Sequence, residues 1–327
     1  MAEGKKILLS GTQPSGRLHI GNYLGALRQF VELQKTHESF FMIADYHALT
    51  SVQDAGKLAE NTLNLAMDYL AIGIDPEQSV IFKQSDVPEH QELAWIFNCI
   101  TTMPYLMRAH AFKDAEAKNK EISVGKFEYP MLMAADILLY DTEVVPVGQD
   151  QKQHVEIARD TAEKFNRTFG ELLVLPQPLI LDSVATVPGV DGRKMSKSYG
   201  NDIGLFADEN EIETKVMGIV TDSKGAGEPK DPETCTVFKL HRFFSPNELS
   251  DIEKRYRDGS ISYKESKEIL AKNLKSFIAP LREKRKMFEQ NHATVIDILK
   301  KGGKFARQRA QKKMADVRLK VGTSFYE

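Results

Sequence analysis

The sequence predicts an α/β protein: a Rossmann-like, doubly wound parallel sheet followed by an all-α helical domain. Three observations predict it. Short apolar runs alternate with segments of helical periodicity through the first half. Each run ends in a turn of glycine or polar residues. After about Asn201 the strand signals thin out and charged amphipathic segments take over. The first run, residues 5–10, closes on Gly11-Thr-Gln-Pro-Ser-Gly and reads as a buried strand. Leu24, Leu27, Val31 and Leu33 then recur at roughly helical spacing over residues 21–34. Residues 40–44 form the second strand, a helix follows over about 53–71, and 79–83 and 144–147 are the third and fourth strands. Ligands of such sheets gather at the carboxyl ends of the strands, where Ser10-Gly11, Asp45-Tyr46-His47 and Gly148-Gln149-Asp150 all fall. Beyond 201, residues 208–220, 245–257, 263–277, 280–290 and 293–320 read as helices, and 222–232 as a polar loop. The expected domains are therefore 1–201 and 202–327, with the last helix free to pack back on the first.

Composition narrows the class. A chain of 327 residues has room for two domains, and its net charge of −2 carries no global sign of nucleic-acid binding. Locally, residues 282–320 hold thirteen Lys and Arg against four acids. That is either a solvated helix face or a surface for a polyanion. Two cysteines, Cys99 and Cys235, encode neither a disulfide framework nor a cysteine-rich zinc site, and suit a reducing interior. The N-terminus lacks a signal-peptide pattern and the apolar runs fall short of a membrane span, so a soluble cytoplasmic protein is expected.

Two segments carry chemistry. Residues 11–22 lie where a strand gives way to a helix, so exposed N–H groups and the helix dipole favour an anion. His19 can donate a hydrogen bond to a phosphate oxygen there. The P-loop and dinucleotide glycine patterns are both missing from this turn. Asp191-Gly192-Arg193 signals a second turn, leading into Lys194-Met-Ser-Lys-Ser. Its two lysines form an ordinary solvated loop, or else close over a triphosphate and neutralise charge on departing pyrophosphate. Together the segments point to adenylate-forming chemistry.

His19-Ile-Gly-Asn and Lys194-Met-Ser-Lys-Ser resemble the two signatures of class I aminoacyl-tRNA synthetases. Gly11-Thr-Gln-Pro-Ser-Gly, Gly21-Asn-Tyr-Leu-Gly-Ala-Leu-Arg, Gly73-Ile-Asp-Pro, Tyr129-Pro-Met-Leu-Met-Ala-Ala-Asp and Pro146-Val-Gly-Gln-Asp-Gln-Lys narrow the likeness to the bacterial-type tryptophanyl-tRNA synthetases. The resemblance implies ATP, L-tryptophan and tRNA(Trp) as partners. It also implies Mg²⁺ arriving with ATP, no protein-bound metal cluster, and a homodimer away from membranes. By the same resemblance His19, Lys194 and Lys197 are catalytic. Gln13, Pro14, Ser15, Gly21 and Asn22 line ATP, and Gly148, Gln149 and Asp150 hold adenosine. Val187 touches adenine, and Met195, Ser196 and Ser198 complete the closing loop.

Asp136 is the expected reader of the amino-acid side chain. It is an acid in an apolar segment, and a buried carboxylate is costly unless partnered. An indole N–H only donates, so a fixed acceptor is its complement. A pocket built around that N–H rejects analogues lacking it by about 10⁴–10⁵. Met133 supplies an apolar wall, with Tyr129, His47, Gln151, Leu9 and Gly11 around the rest of the substrate. The position of Leu9 is often aromatic in the family. Some members also hold a four-cysteine cluster beginning near Cys235; Tyr256, Tyr263 and Ser266 stand here where further cysteines are expected, so no cluster is predicted. The rival readings are a tyrosyl-tRNA synthetase, which shares fold and signatures, and a non-catalytic tRNA-binding paralogue.

Overall fold

Five short segments form one parallel sheet in the computed structural model, which describes residues 4–108, 112, 121–180 and 186–324, the side chain of Asp150 excepted. They are β1 (Ile7–Thr12), β2 (Glu38–Ile43), β3 (Ser79–Lys83), β4 (Val144–Val147) and β5 (Gln177–Ile180), in the order β3-β2-β1-β4-β5. β2 is buried along nearly its whole length, as expected for a parallel strand covered on both faces. Four of the five strands lie where the apolar runs place them. The fifth, Gln-Pro-Leu-Ile, is an edge strand with a proline and exposed ends, so it offers no apolar run to read. The strand order reverses between β1 and β4, and the crevice beyond their carboxyl ends is the usual ligand position of such sheets.

The helices follow in chain order: α1 (Ile20–Asn22), α2 (Arg28–Leu33), α3 (Asp45–Ala48), α4 (Ala55–Ile72), α5 (Glu89–Ile100), α6 (Met103–Leu106), α7 (Val124–Leu138) and α8 (Lys152–Phe169). A π-turn, Tyr23–Leu27, joins α1 to α2. Asp54 caps α4 by accepting from Lys57 N–H at 2.7 Å, and Gly73 (φ 104°) ends it in the left-handed conformation. Gln34 then clamps the Gly73-Ile-Asp-Pro turn, donating to Gly73 O and accepting from Asp75 N–H, each at 2.9 Å.

After residue 201 come α9 (Glu209–Met217), α10 (Thr236–Phe244), α11 (Leu249–Asp258), α12 (Tyr263–Glu289) and α13 (His292–Val321). The sequence breaks α12 in two before Pro280. The chain instead runs through as one helix, because the buried stripe Leu270, Leu274 and Ile278 anchors it at the cost of the backbone hydrogen bond proline cannot make. None of the described helices is long and apolar enough to cross a membrane.

The chain divides into two compact units that interleave along the sequence, whereas the sequence reading places one boundary near 201. The first comprises Met1–Gly16, Phe30–Asp182 and Asn291–Glu327; the second comprises Arg17–Gln29 and Ser183–Gln290. The sheet and α13 therefore belong to one unit. Within it α13 buries Ala306, Ala310, Met314 and Val317, a stripe at helical spacing. Gly302 and Gly303 let α13 approach β3: a Cβ at Gly302 would land on the Ile81 carbonyl, and one at Gly303 would sit 2.9 Å from the Asp86 side chain. Four of its basic residues pair with acids of the same unit: Arg307 with Glu89 (3.2 Å), Arg309 with Glu38, Lys313 with Asp141 and Arg318 with Glu92 (each 2.5 Å). The basic face of α13 is thus in part a structural seam.

Candidate active site

Both signature segments fall in the second unit. Residues 18–20 run antiparallel to 203–205: Ile20 N–H donates to Ile203 O and Leu205 N–H to Leu18 O, each at 3.0 Å, while His19 bridges Gly204. This places His19 as the N-cap of α1. Its Nδ1 accepts from Asn22 N–H at 3.2 Å, and Asn22 Oδ1 accepts from His19 N–H at 3.1 Å, a reciprocal capping box. An acceptor Nδ1 leaves the proton of the neutral ring on Nε2. Burial lowers the imidazole's pKa, Lys197 lowers it further and Asp202 opposes both, which favours the neutral ring. Gly21 is required by this geometry, since a Cβ there would lie 2.9 Å from His19 Nδ1 and 3.4 Å from Met195 Cβ.

The lysine loop is braced at its base. Met195 N–H donates to Val187 O at 3.0 Å, and Gly189 N–H to Arg193 O at 2.7 Å, closing a hairpin around Gly192 (φ 81°). Asn201, buried, gathers the far end: its amide donates to Asp191 Oδ1 (2.7 Å) and Lys194 O (3.2 Å), and its oxygen accepts from Ser196 N–H (2.8 Å). Met195 is buried, while Lys194, Lys197 and Ser198 are exposed, so the loop presents its ammonium groups outward from a fixed frame. Ser196 Oγ accepts from Ser198 N–H at 3.3 Å and starts the turn holding Lys197.

In the sheet unit, polar side chains converge beyond β2 and β3. Asp45 accepts from Ser85 N–H at 2.9 Å and Ser85 Oγ–H at 2.5 Å, stitching the two strand ends together. Asp136, on α7, sits among three partners. Gln84 donates to Oδ1 at 2.8 Å, His90 Nδ1 stands 2.6 Å from Oδ1, and His47 Nε2 stands 2.8 Å from Oδ2. Burial opposes ionisation here, but the neighbouring His90 and the His47 and His90 hydrogen bonds outweigh it and hold the carboxyl at about 2. The acid is therefore not isolated among apolar residues, as its sequence context suggests. His47, beyond an ordinary core histidine, holds that carboxylate.

Tyr129 stands between two imidazoles, its ring 6.1 Å from His47 and 5.4 Å from His154, with its hydroxyl 3.1 Å from His154 Nε2. His47 and Tyr129 form part of the wall of an open cleft of about 360 Å³, which Asp136, Met133 and Leu9 do not line. Leu9 is buried in the core that Met133 borders. Gly11 sits at the end of β1, where a Cβ would lie 3.2 Å from Met42 Cε. Gln13 and Ser15 are exposed and Pro14 is buried just beyond it; Gly148, Gln149 and Gln151 are exposed beyond β4. The two loops flank the switch point. The side chain of Asp150 lies outside the described residues.

A profile of the class I tRNA synthetases (W and Y) matches residues 1–295. The chain belongs to this family. It is 49% identical to a tryptophan–tRNA ligase of Fusobacterium nucleatum over 96% of this chain and 97% of the relative. Against a tryptophan–tRNA ligase of Rhodopirellula baltica the identity is 48%, covering 92% and 94%. The crystal structure of Campylobacter jejuni tryptophanyl-tRNA synthetase, complexed with ADP and tryptophan, superposes with a TM-score of 0.91 at 45% identity, covering 97% and 99%.

Within this synthetase fold, the four positions compared with a cysteine cluster do come together. Cys235 Sγ is 3.7 Å from Tyr256 Oη, which is 2.7 Å from Ser266 Oγ, and the Tyr256 and Tyr263 rings are 6.2 Å apart. His241 joins them, with Nε2 3.0 Å from Ser266 Oγ and Nδ1 2.7 Å from Ser245 Oγ. A hydrogen-bonded network occupies the site. Gln84, His90 and Asn201 are site-supporting residues that the sequence reading missed. Gln84 and Asn201 have no periodicity to betray them, and His90 lies in α5, a helix the reading did not mark.

Proposed function

We infer that the chain is a tryptophan–tRNA ligase. The observation that carries this reading is Asp136, a buried and ionised acceptor at the strand ends, in a chain 49% identical over nearly its whole length to a ligase of that name. In the first step a carboxylate oxygen of tryptophan attacks the α-phosphorus of ATP. The new O–P bond gives tryptophanyl-adenylate, and the bridging P–O bond breaks, leaving pyrophosphate with its electron pair. In the second, the terminal ribose hydroxyl of tRNA(Trp) attacks the acyl carbon and AMP departs. Neither step needs a protein nucleophile, so orientation and charge stabilisation carry the catalysis.

Each side chain then has a role. His19 Nε2–H donates to a phosphate oxygen, and Lys194 and Lys197 balance charge building on pyrophosphate. Gln13, Pro14, Ser15, Gly21 and Asn22 are assigned to ATP, with Gly148, Gln149 and Asp150 on its ribose and Val187 on its adenine. Met195, Ser196 and Ser198 shape the lysine loop. Asp136 takes the indole N–H against Met133, Leu9 and Gly11, and Tyr129, His47 and Gln151 take the amino-acid end. Mg²⁺ is proposed to travel with ATP. Among the described residues no group of three or more His, Cys, Asp or Glu is arranged to hold a metal, and no step is derived through one. A homodimer, a cytoplasmic location and tRNA contact by the helical region 202–327 belong to the same proposal.

The test is amino-acid-dependent exchange of pyrophosphate into ATP without tRNA, run with all twenty amino acids. Exchange with tryptophan alone, and its loss with Asp136→Ala, is the expected result. Exchange driven by tyrosine would move the chain to the other branch of its family.

A further inference from the structure

Asp136 is buried, and its two oxygens are unevenly partnered. A carboxylate offers about four lone-pair directions, two on each oxygen. Oδ1 faces both Gln84 Nε2 (2.8 Å) and His90 Nδ1 (2.6 Å), whereas Oδ2 faces His47 Nε2 (2.8 Å). Among the described residues Oδ2 thus faces one donor where Oδ1 faces two, and Oδ2 is the oxygen assigned to the substrate N–H. His90 lies near the N-terminus of α5 with no exposed surface, and its other nitrogen, Nε2, is 2.8 Å from the hydroxyl of the equally buried Tyr140. Its ring lies between Phe82 (6.3 Å) and Tyr140 (5.5 Å).

The protons follow from these partners. Burial keeps the Tyr140 phenol protonated, and the charges of Asp136 and Glu89 push the same way. Its O–H can therefore donate to His90 Nε2. A ring nitrogen 2.6 Å from an ionised carboxylate carries a proton, so Nδ1–H meets Oδ1 as a close polar contact, although its direction is off the hydrogen-bond line. One nitrogen fixes the tautomer and the other fixes the acid.

We propose that His90 is a positioning residue for amino-acid selection: held by Tyr140, it anchors Oδ1 of Asp136 and so orients Oδ2 toward the N–H of the substrate side chain. This rests on the reading that Asp136 recognises the indole N–H. His90 touches no substrate. It acts on the one part of recognition that separates an indole from an apolar ring of the same shape.

The experiment compares tryptophan with 3-(benzothiophen-3-yl)alanine, which replaces the N–H by sulfur, as substrates for pyrophosphate exchange. The readout is the ratio of their kcat/KM values. Hydrogen bonds to charged groups support a fall in this preference of about tenfold to a hundredfold in His90→Leu. His90→Asn, whose amide can occupy the place of Nδ1, is expected to restore most of it. Tyr140→Phe, which keeps the packing and loses the tautomer lock, is expected to lower it about threefold to tenfold on the same basis. Should all three variants reduce both substrates in proportion, His90 only supports the core and the proposal is overturned. If His90→Leu does not fold, the Asn and Tyr140→Phe variants still decide between these outcomes. Asp136→Asn separates the premise from the proposal: an unchanged preference there removes Asp136 from indole recognition, and the role of His90 falls with it.

Discussion

Gly21 shows how one missing methyl group positions a functional side chain. The reciprocal cap between His19 and Asn22 folds the imidazole back over the helix start, into space a Cβ would occupy at 2.9 Å from Nδ1. Alanine stabilises a helix relative to glycine by roughly 1 kcal/mol, so Gly21→Ala is expected to leave the melting temperature unchanged or slightly higher. It should nonetheless slow pyrophosphate exchange about tenfold to a hundredfold, since displacing a catalytic donor by a fraction of an ångström removes the alignment it supplies. Normal exchange in a stably folded variant would show that His19 need not sit in this cap. Glycine, histidine and asparagine were legible here as a motif. The Nδ1 acceptor role was not, because it depends on a ring rotamer that sequence spacing does not specify.

At the scale of elements, α13 is the instructive case. Its basic run reads as a surface for polyanions, yet Arg307, Arg309, Lys313 and Arg318 meet acids on β2, α5 and the turn before β4. Lys313 also reaches Leu172 O at 3.5 Å. Partly exposed pairs contribute up to about 1 kcal/mol each. The double variant Arg309→Ala, Lys313→Ala is therefore expected to lower the melting temperature by about 2–6 °C and to reduce adenylate formation and tRNA charging together. Loss of charging alone, with unchanged melting, would return these two residues to a tRNA surface. The sequence could not separate the cases, because a lysine facing an acid from a distant segment has the same local pattern as a lysine facing water. Helices α5 and α8 escaped the reading for a related reason: their buried faces mix alanine and polar residues with apolar ones, and the apolar stripe is diluted.

For the whole molecule, buried titratable groups set the response to acid. Burial pushes His241 down to about 4 from an ordinary 6.5, against the pull of Ser266 and Glu248. As pH falls below 6.5 the unfolded chain accepts a proton that the folded one refuses. His241 therefore withdraws stability progressively until about pH 4, at roughly 1.4 kcal/mol per pH unit once well inside that window. Asp136 has the depressed-acid sign. Its contribution is present above 3.8 and is lost as pH falls toward 2, below the His241 window. His241→Gln should accordingly flatten the fall in melting temperature between pH 6.5 and 4.5. Parallel curves for the two proteins would remove His241 as a source of acid sensitivity.

The sequence by itself determined the fold class, four strands, the two signature segments and the acid in α7, because each is written in local patterns: apolar runs, glycine turns and a carboxylate among apolar neighbours. Tertiary structure alone decided what those residues meet. It brought Gln84 and His90 to Asp136 from segments about fifty residues away in sequence, paired α13 with the acids of the sheet unit, and gathered Cys235, Tyr256, Ser266 and His241 into one network. Partners of this kind are set by where the chain crosses itself, and the hydrogen-bonding needs of buried groups then select among the residues that arrive.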